Sequence, residues 1–98
     1  MLVVKYRRKY LEKCYRKKDE AVKKWGKSIA KNYIKRLSLI CSANTIDDLY
    51  SFPQLKFHPL KGKLGDKHSI KITDRARLIL TIENDKTIII EEMTKHYE

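Results

Sequence analysis

The stretch His58-Pro59-Leu60-Lys61-Gly62-Lys63-Leu64-Gly65 holds the most suggestive chemistry in these 98 residues. It carries an imidazole with two ammonium groups close behind it. Pro59 has no amide hydrogen and pushes the residue before it toward extended backbone, so His58 is expected at a strand end. Gly62 and Gly65 let the chain turn tightly after it. Further on, Arg77 lies on the more polar face of an alternating segment, and His96 follows the last such segment. Two histidines beside cations suit the metal-free cleavage of RNA, in which the 2′-hydroxyl attacks its own phosphodiester. That reaction needs a base at the 2′-oxygen, an acid at the leaving 5′-oxygen and positive charge where the phosphate gains negative charge. Histidine titrates near pH ~6.5 and can take either proton role. Lys61 and Arg77 suit the phosphate, which arginine can grip with two parallel hydrogen bonds.

Each residue also has a structural reading. Taken singly, His58 is more often just a strand-end histidine, and His96 stands close enough to the last residue to be a frayed end. His68 shares the apolar face of its segment with Ile70 and Ile72 and reads as structural. Tyr6, Tyr10, Tyr15, Trp25 and Tyr33 fall on helical stripes and read as core rather than as a stacking platform for bases. Cys14 and Cys41 form no C-x-x-C and have no histidine pair nearby, so both are expected to be buried thiols, with no metal site and no cofactor. No glycine-rich phosphate loop, paired-carboxylate site or serine-hydrolase motif is present.

The elements that must position these groups follow from periodicity. Residues 2–5 read as a short strand. Residues 6–18 form an amphipathic helix, with Tyr6, Tyr10 and Cys14 on one side and Arg7, Arg8, Lys9, Lys13, Arg16 and Lys17 on the other. A second helix starts near Asp19 with a stripe of Val22, Trp25, Ile29, Tyr33, Leu37 and Ile40; Gly26 can split it, and Asn44 can stop it. Thr45-Ile46-Asp47-Asp48 looks like a capping motif opening one further turn. From Phe52-Pro53 onward the period becomes two, giving strands over 55–60, 67–73, 75–83 and 86–93, with turn signals at Thr73-Asp74 and Asn84-Asp85. The expectation is a single α+β domain over residues 1–98. A short N-terminal strand and two main helices would pack on one face of a mostly antiparallel, twisted sheet.

Composition narrows the partners. The chain is 42% hydrophobic and 36% charged, too apolar for a disordered chain and too charged for a membrane protein. No apolar run approaches the ~20 residues of a membrane span. No targeting segment is visible, so the expected location is the cytoplasm. Residues 1–40 hold fourteen Lys and Arg against three acidic residues, which accounts for the whole net charge of +11. The helices therefore carry the basic field. Such a field draws polyanions: nucleic acid and ribosome surfaces first, an acidic protein second, an anionic membrane third. It can also be a solvated face that only keeps the chain soluble.

From Trp25 onward the sequence resembles the HigB ("killer protein") branch of the RelE/ParE superfamily of type II toxins. The resemblance rests on Gly26, Ala30, Arg36-Leu37 and the 42–49 stretch, on His58-Pro59-Leu60-Lys61-Gly62, on Arg77-Leu78-Ile79-Leu80, and on Ile89-Ile90-Glu91 through His96. It implies a compact RelE-like fold and an mRNA interferase, an endoribonuclease acting on mRNA, usually on the ribosome. It also implies a cognate, HigA-like antitoxin. The family's catalytic positions carry over to His58, Lys61, Arg77 and His96, with Lys63, Lys95 and Tyr97 as substrate-binding candidates. Many members end in an acidic residue, a tyrosine and a histidine, whereas this chain has Thr94-Lys95-His96 followed by Tyr97. Tyr97 then supplies the aromatic contact, or Lys95 takes over charge stabilisation, or activity is reduced. Two other functions compete: a non-enzymatic poison of DNA gyrase, as ParE-type relatives are, and a plain basic RNA-binding protein.

Overall fold

The computed structural model describes residues 1–61 and 67–95. Strand β1 (Val3–Tyr6) leads into three helices: α1 (Lys9–Arg16), α2 (Lys18–Trp25) and α3 (Lys27–Ser42). Two short 3₁₀ turns, Asp47–Ser51 and Pro53–Leu55, connect to β2 (His58–Pro59), β3 (Lys67–Lys71), β4 (Arg77–Asn84) and β5 (Thr87–Thr94). The strands form one sheet in the order β1-β5-β4-β3-β2. All pairs are antiparallel except β1 with β5. The α+β architecture is the one the periodicity predicts, with the first strand inserted beside the last.

The second expected helix is two helices. Gly26 has φ 86° and ψ 169°, a conformation that side-chain-bearing residues rarely adopt, so the chain breaks there between α2 and α3. Nothing lies within 4 Å of where a Cβ would stand, so the constraint is in the backbone and not in the packing. In α3, Ala30, Tyr33, Leu37 and Ile40 repeat every three or four residues and are all buried. The Tyr33 hydroxyl donates to the Leu11 carbonyl at 2.7 Å, and Trp25 meets the Tyr33 ring edge-on at 4.7 Å. Burial pushes the Tyr6 phenol up to about 12 and raises Tyr33 as well. Tyr33 is core, and Tyr10, Tyr15 and Trp25 pack half-buried against it, as their helical spacing predicts; Tyr6, expected on the first helix, instead ends β1, because the strand runs on to pair with Ile90.

Asp48 caps the turn after α3. Its carboxylate accepts from the amides of Asn44 and Thr45 at 3.0 and 3.1 Å, and its own amide donates to Thr45 Oγ1 at 3.3 Å. The strand expected over 55–60 shrinks to His58–Pro59. Pro53 opens a 3₁₀ turn, Lys56 closes it with φ 50°, and Pro59 can give no ladder hydrogen bond, which leaves β2 as a short edge. The core lies between the helices and one sheet face, where Ile70, Ile72, Leu78, Leu80, Ile88 and Ile90 meet Leu11, Tyr33, Leu37 and Ile40. Cys14 is buried there; Cys41, expected to be buried, is only half-buried.

One irregularity shapes the other face. Ile79 pairs with Glu92 and Leu80 with Ile90, so Glu91 has no partner across the ladder. The bulge interrupts the alternation and turns two consecutive carboxylates, Glu91 and Glu92, away from the helices.

Candidate active site

The helices cover one face of the sheet and leave open the face that carries Lys67, Ser69 and Lys71 of β3 and Arg77, Ile79 and Thr81 of β4. His58 joins this face because β2 pairs His58 with Ser69. Its ring is held at both nitrogens. Nδ1 lies 2.7 Å from the Lys56 carbonyl, and Nε2 lies 3.2 Å from the hydroxyl of the buried Ser69. A carbonyl only accepts, so Nδ1 donates to Lys56; with its proton held there, Nε2 is the nitrogen left to act as a base, and it can accept from the Ser69 hydroxyl. The left-handed turn at Lys56 places that carbonyl under the ring.

The other expected site residues divide. Lys61 is exposed just past β2, and Lys95 is exposed just past β5. Arg77 is on the same face as His58, but the strand register sets their Cα atoms about 12 Å apart. Its Nη1 donates to the carbonyls of Thr73, Asp74 and Ala76, so the guanidinium is drawn toward the β3–β4 turn. Thr94 pairs with Arg77, so the chain leaves β5 beside the arginine. Lys63, His96 and Tyr97 lie outside the described residues. His68 faces the helices and stacks on Phe57 with ring centroids 4.7 Å apart, the structural place its spacing predicts.

The face also holds groups that the sequence does not single out. A cavity of about 460 Å³ opens between Arg7, Arg8, Leu60, Lys67, Ile79, Glu91, Glu92 and Thr94. Glu91 anchors its wall. Arg7 Nε and Nη2 donate to the two Glu91 oxygens at 2.9 Å each. Thr81 Oγ1 donates to Glu91 at 2.5 Å, and Lys67 Nζ stands 3.9 Å from the same oxygen while donating to Thr81 at 2.9 Å. The Arg7 hydrogen bonds, joined by that of Thr81 and the nearby charges of Arg7 and Lys67, pull the Glu91 carboxyl down to about 2. The sequence pattern puts Arg7 on a solvated helix face; it instead follows directly on β1, its amide donating to the Ile90 carbonyl at 2.8 Å, and so stands beside β5. The run Glu91-Glu92-Met93 breaks the alternation, and that is the sequence signal for the bulge.

The Glu91 pairing sets a pH dependence. Its folded pKa lies below its unfolded one, so the stability it contributes is fully present above about pH 4.5 and lost as pH falls toward 2. Chemical denaturation should therefore show Glu91→Gln less stable than the parent chain by about 2 kcal/mol at pH 7, with more than half of that gap gone by pH 3. A gap that stays constant across this range would mean the substitution acts through packing alone.

Among the described residues, no three His, Cys, Asp or Glu side chains gather to hold a metal ion. No helix among them is long and apolar enough to cross a membrane. Residues 4–93 match the model of a HigB-like toxin family, described as RelE-like toxins of type II toxin–antitoxin systems. No curated protein matches the chain by sequence. Among solved structures, the YoeB–YefM complex from Staphylococcus aureus contains a chain with 22% identity and a TM-score of 0.63, covering 99% of both chains. YafQ from Escherichia coli strain BL21(DE3) is 18% identical at a TM-score of 0.61, covering 97% of this chain and 93% of its own. HP0894 from Helicobacter pylori is 20% identical at a TM-score of 0.57, with coverage of 98% and 96%.

Proposed function

The chain belongs to the HigB-like family of RelE-like toxins of type II toxin–antitoxin systems, and from that premise we propose that it is a metal-independent endoribonuclease, an mRNA interferase that arrests translation by cutting mRNA on the ribosome. The observation that supports the reading is His58, whose Nδ1 is held by the Lys56 carbonyl and whose Nε2 is turned to Ser69 on the open sheet face, one strand across from Ile79 in a cavity edged by Arg7, Arg8 and Lys67. His58 accepts the proton of the attacking 2′-hydroxyl, which displaces Ser69 from Nε2. His96 protonates the leaving 5′-oxygen. Lys61 and Arg77 balance the charge that grows on the phosphate, and Lys63, Lys95 and Tyr97 hold the flanking RNA. The reaction needs no metal, because the nucleophile belongs to the substrate. The whole chain, residues 1–98, acts as one toxin domain in the cytoplasm.

The basic helices serve a second purpose in this reading. Arg8, Lys9, Lys13, Arg16, Lys17 and Lys18 are all exposed, a display that suits ribosomal RNA. An acidic, HigA-like antitoxin neutralises the same charge. In the YoeB–YefM complex a chain of this fold is seen with its partner, which supports an antitoxin here.

Wild type and His96→Ala, expressed in an mRNA-programmed extract with and without ribosomes, test the proposal when the new RNA ends are mapped. Ribosome-dependent cuts from the wild type alone are expected. If neither protein cuts and cells still stop growing, the chain is a gyrase-type poison. Salt-sensitive RNA binding without toxicity would leave only a basic RNA-binding protein.

A further inference from the structure

The proposed chemistry does not use the Arg7–Glu91–Lys67–Thr81 network, yet Arg7, Glu91 and Lys67 of this network line the cavity on the sheet face that carries His58. Glu91 is nearly covered, its side chain 13% exposed, whereas the Arg7 side chain is 54% exposed. The bulge leaves Glu91 without a partner across the ladder and brings Glu92 to the same face beside it; a regular ladder would have paired Glu91 with Ile79 and turned Glu92 toward the helices. Arg7 gives Nε and Nη2 to Glu91, and its Nη1 has no partner among the described residues. Lys67 is held at the same carboxylate from the opposite side and sits on β3 two residues from Ser69, the His58 partner. Leu60 and Ile79, both half-buried, supply an apolar wall to the same cavity. One nearly covered anion thus holds two cations, one just past β1 and one on β3, on the rim of a space large enough for a nucleotide.

We propose that Arg7 and Lys67 form a phosphodiester clamp for the RNA nucleotide next to the cleaved bond, and that Glu91 is the positioning residue that holds them in place. The inference takes RNA as its ligand from the functional reading above. The base lies against Leu60 and Ile79 while the backbone phosphate meets Arg7 Nη1 and the Lys67 ammonium. A bidentate anchor on one edge of the guanidinium leaves the other edge set in direction, so little side-chain freedom is lost when the phosphate arrives. Arg8, on the same rim, adds charge without a fixed direction.

The sign of one substitution separates this role from a simple staple between β1 and β5. Removing the negative charge of Glu91 would strengthen binding of any polyanion if only the field mattered. If Glu91 positions the clamp, Glu91→Gln weakens binding. A 2′-O-methylated single-stranded RNA hexamer, which lacks the attacking hydroxyl, is the probe, followed by fluorescence anisotropy across a salt series. Arg7→Met and Lys67→Met should each weaken binding about tenfold, and each should flatten the slope of log affinity against log salt by about 0.7, the value for one single-strand phosphate contact. Glu91→Gln should weaken binding several-fold. Arg7→Lys, which keeps the charge and the strand but loses the bidentate anchor, should behave like Glu91→Gln; it also stands in if Arg7→Met does not fold. Parent-like binding by the Arg7 and Lys67 variants, tighter binding by Glu91→Gln, or no binding of the hexamer by the parent chain would each overturn the clamp. The two readings fail separately: a chain that binds through these residues but never cuts mRNA keeps the clamp and loses the nuclease, and a chain that cuts mRNA while the variants bind normally does the reverse.

Discussion

His58→Ala should lower the rate of mRNA cleavage by about 10²- to 10⁴-fold, the usual contribution of one positioned general base. The fold should survive, since the ring is half-buried at a two-residue edge strand and contributes nothing to the central core. The circular dichroism spectrum and the antitoxin affinity are therefore expected to be unchanged while the mapped RNA ends disappear. Ser69→Ala is the matching control. It removes the hydroxyl from Nε2 but leaves the Lys56 carbonyl on Nδ1, so the proton stays on the correct nitrogen and the rate should change by less than about tenfold. Undiminished cleavage by His58→Ala would make His58 a structural residue that ties the Lys56 turn to Ser69, and the base would have to be sought elsewhere on the open face.

The second large effect lies beneath the site. Leu80 is fully buried on the helix-facing side of β4, opposite Ile90 and directly beside the bulge that presents Glu91 and Glu92. Leu80→Ala removes buried methyl groups and leaves a hole that the sheet and α3 only partly fill, at a cost of about 2–5 kcal/mol. For a domain of this size, roughly 4–8 °C of thermal midpoint is lost per kcal/mol, so calorimetry should find the variant at least about 10 °C less stable. The same hole loosens the bulge, and the variant should lose cleavage activity even at temperatures where it remains folded. A shift of a degree or two would mean that the core at Leu80 relaxes freely and does not support the bulge.

These two predictions draw on different kinds of information. The apolar side of β4, the helix stripes and the capping role of Asp48 were legible because each depends on a local period or on a hydrogen bond within a few residues. The split at Gly26 was legible as well, since a glycine inside a helical pattern marks the place where a conformation closed to other residues can occur. The length of β2 was less so: Pro59 announced an edge, but the left-handed turn at Lys56 that ends the preceding segment has no signature in its residue type. For the site, the family resemblance named His58, Lys61, Arg77 and His96. Of the described members, the structure sets His58 and Arg77 on one face at opposite sides of β3 and leaves Lys61 exposed past β2.

The sequence by itself determined the α+β class, the order of the elements, the basic helices and the family. Periodicity, composition and a short motif are properties of neighbouring residues, and they persist wherever the segment ends up in space. Only the tertiary structure decided that β1 runs parallel to β5, because that pairing joins residues more than eighty positions apart and nothing local encodes it. The network on the open face follows from it. Arg7 reaches Glu91 only because β1 lies along β5, and Glu92 joins Glu91 on that face only because the ladder slips by one residue between Ile79 and Leu80. A one-residue slip exchanges the faces of a strand, so the side chains available to a ligand were fixed by register.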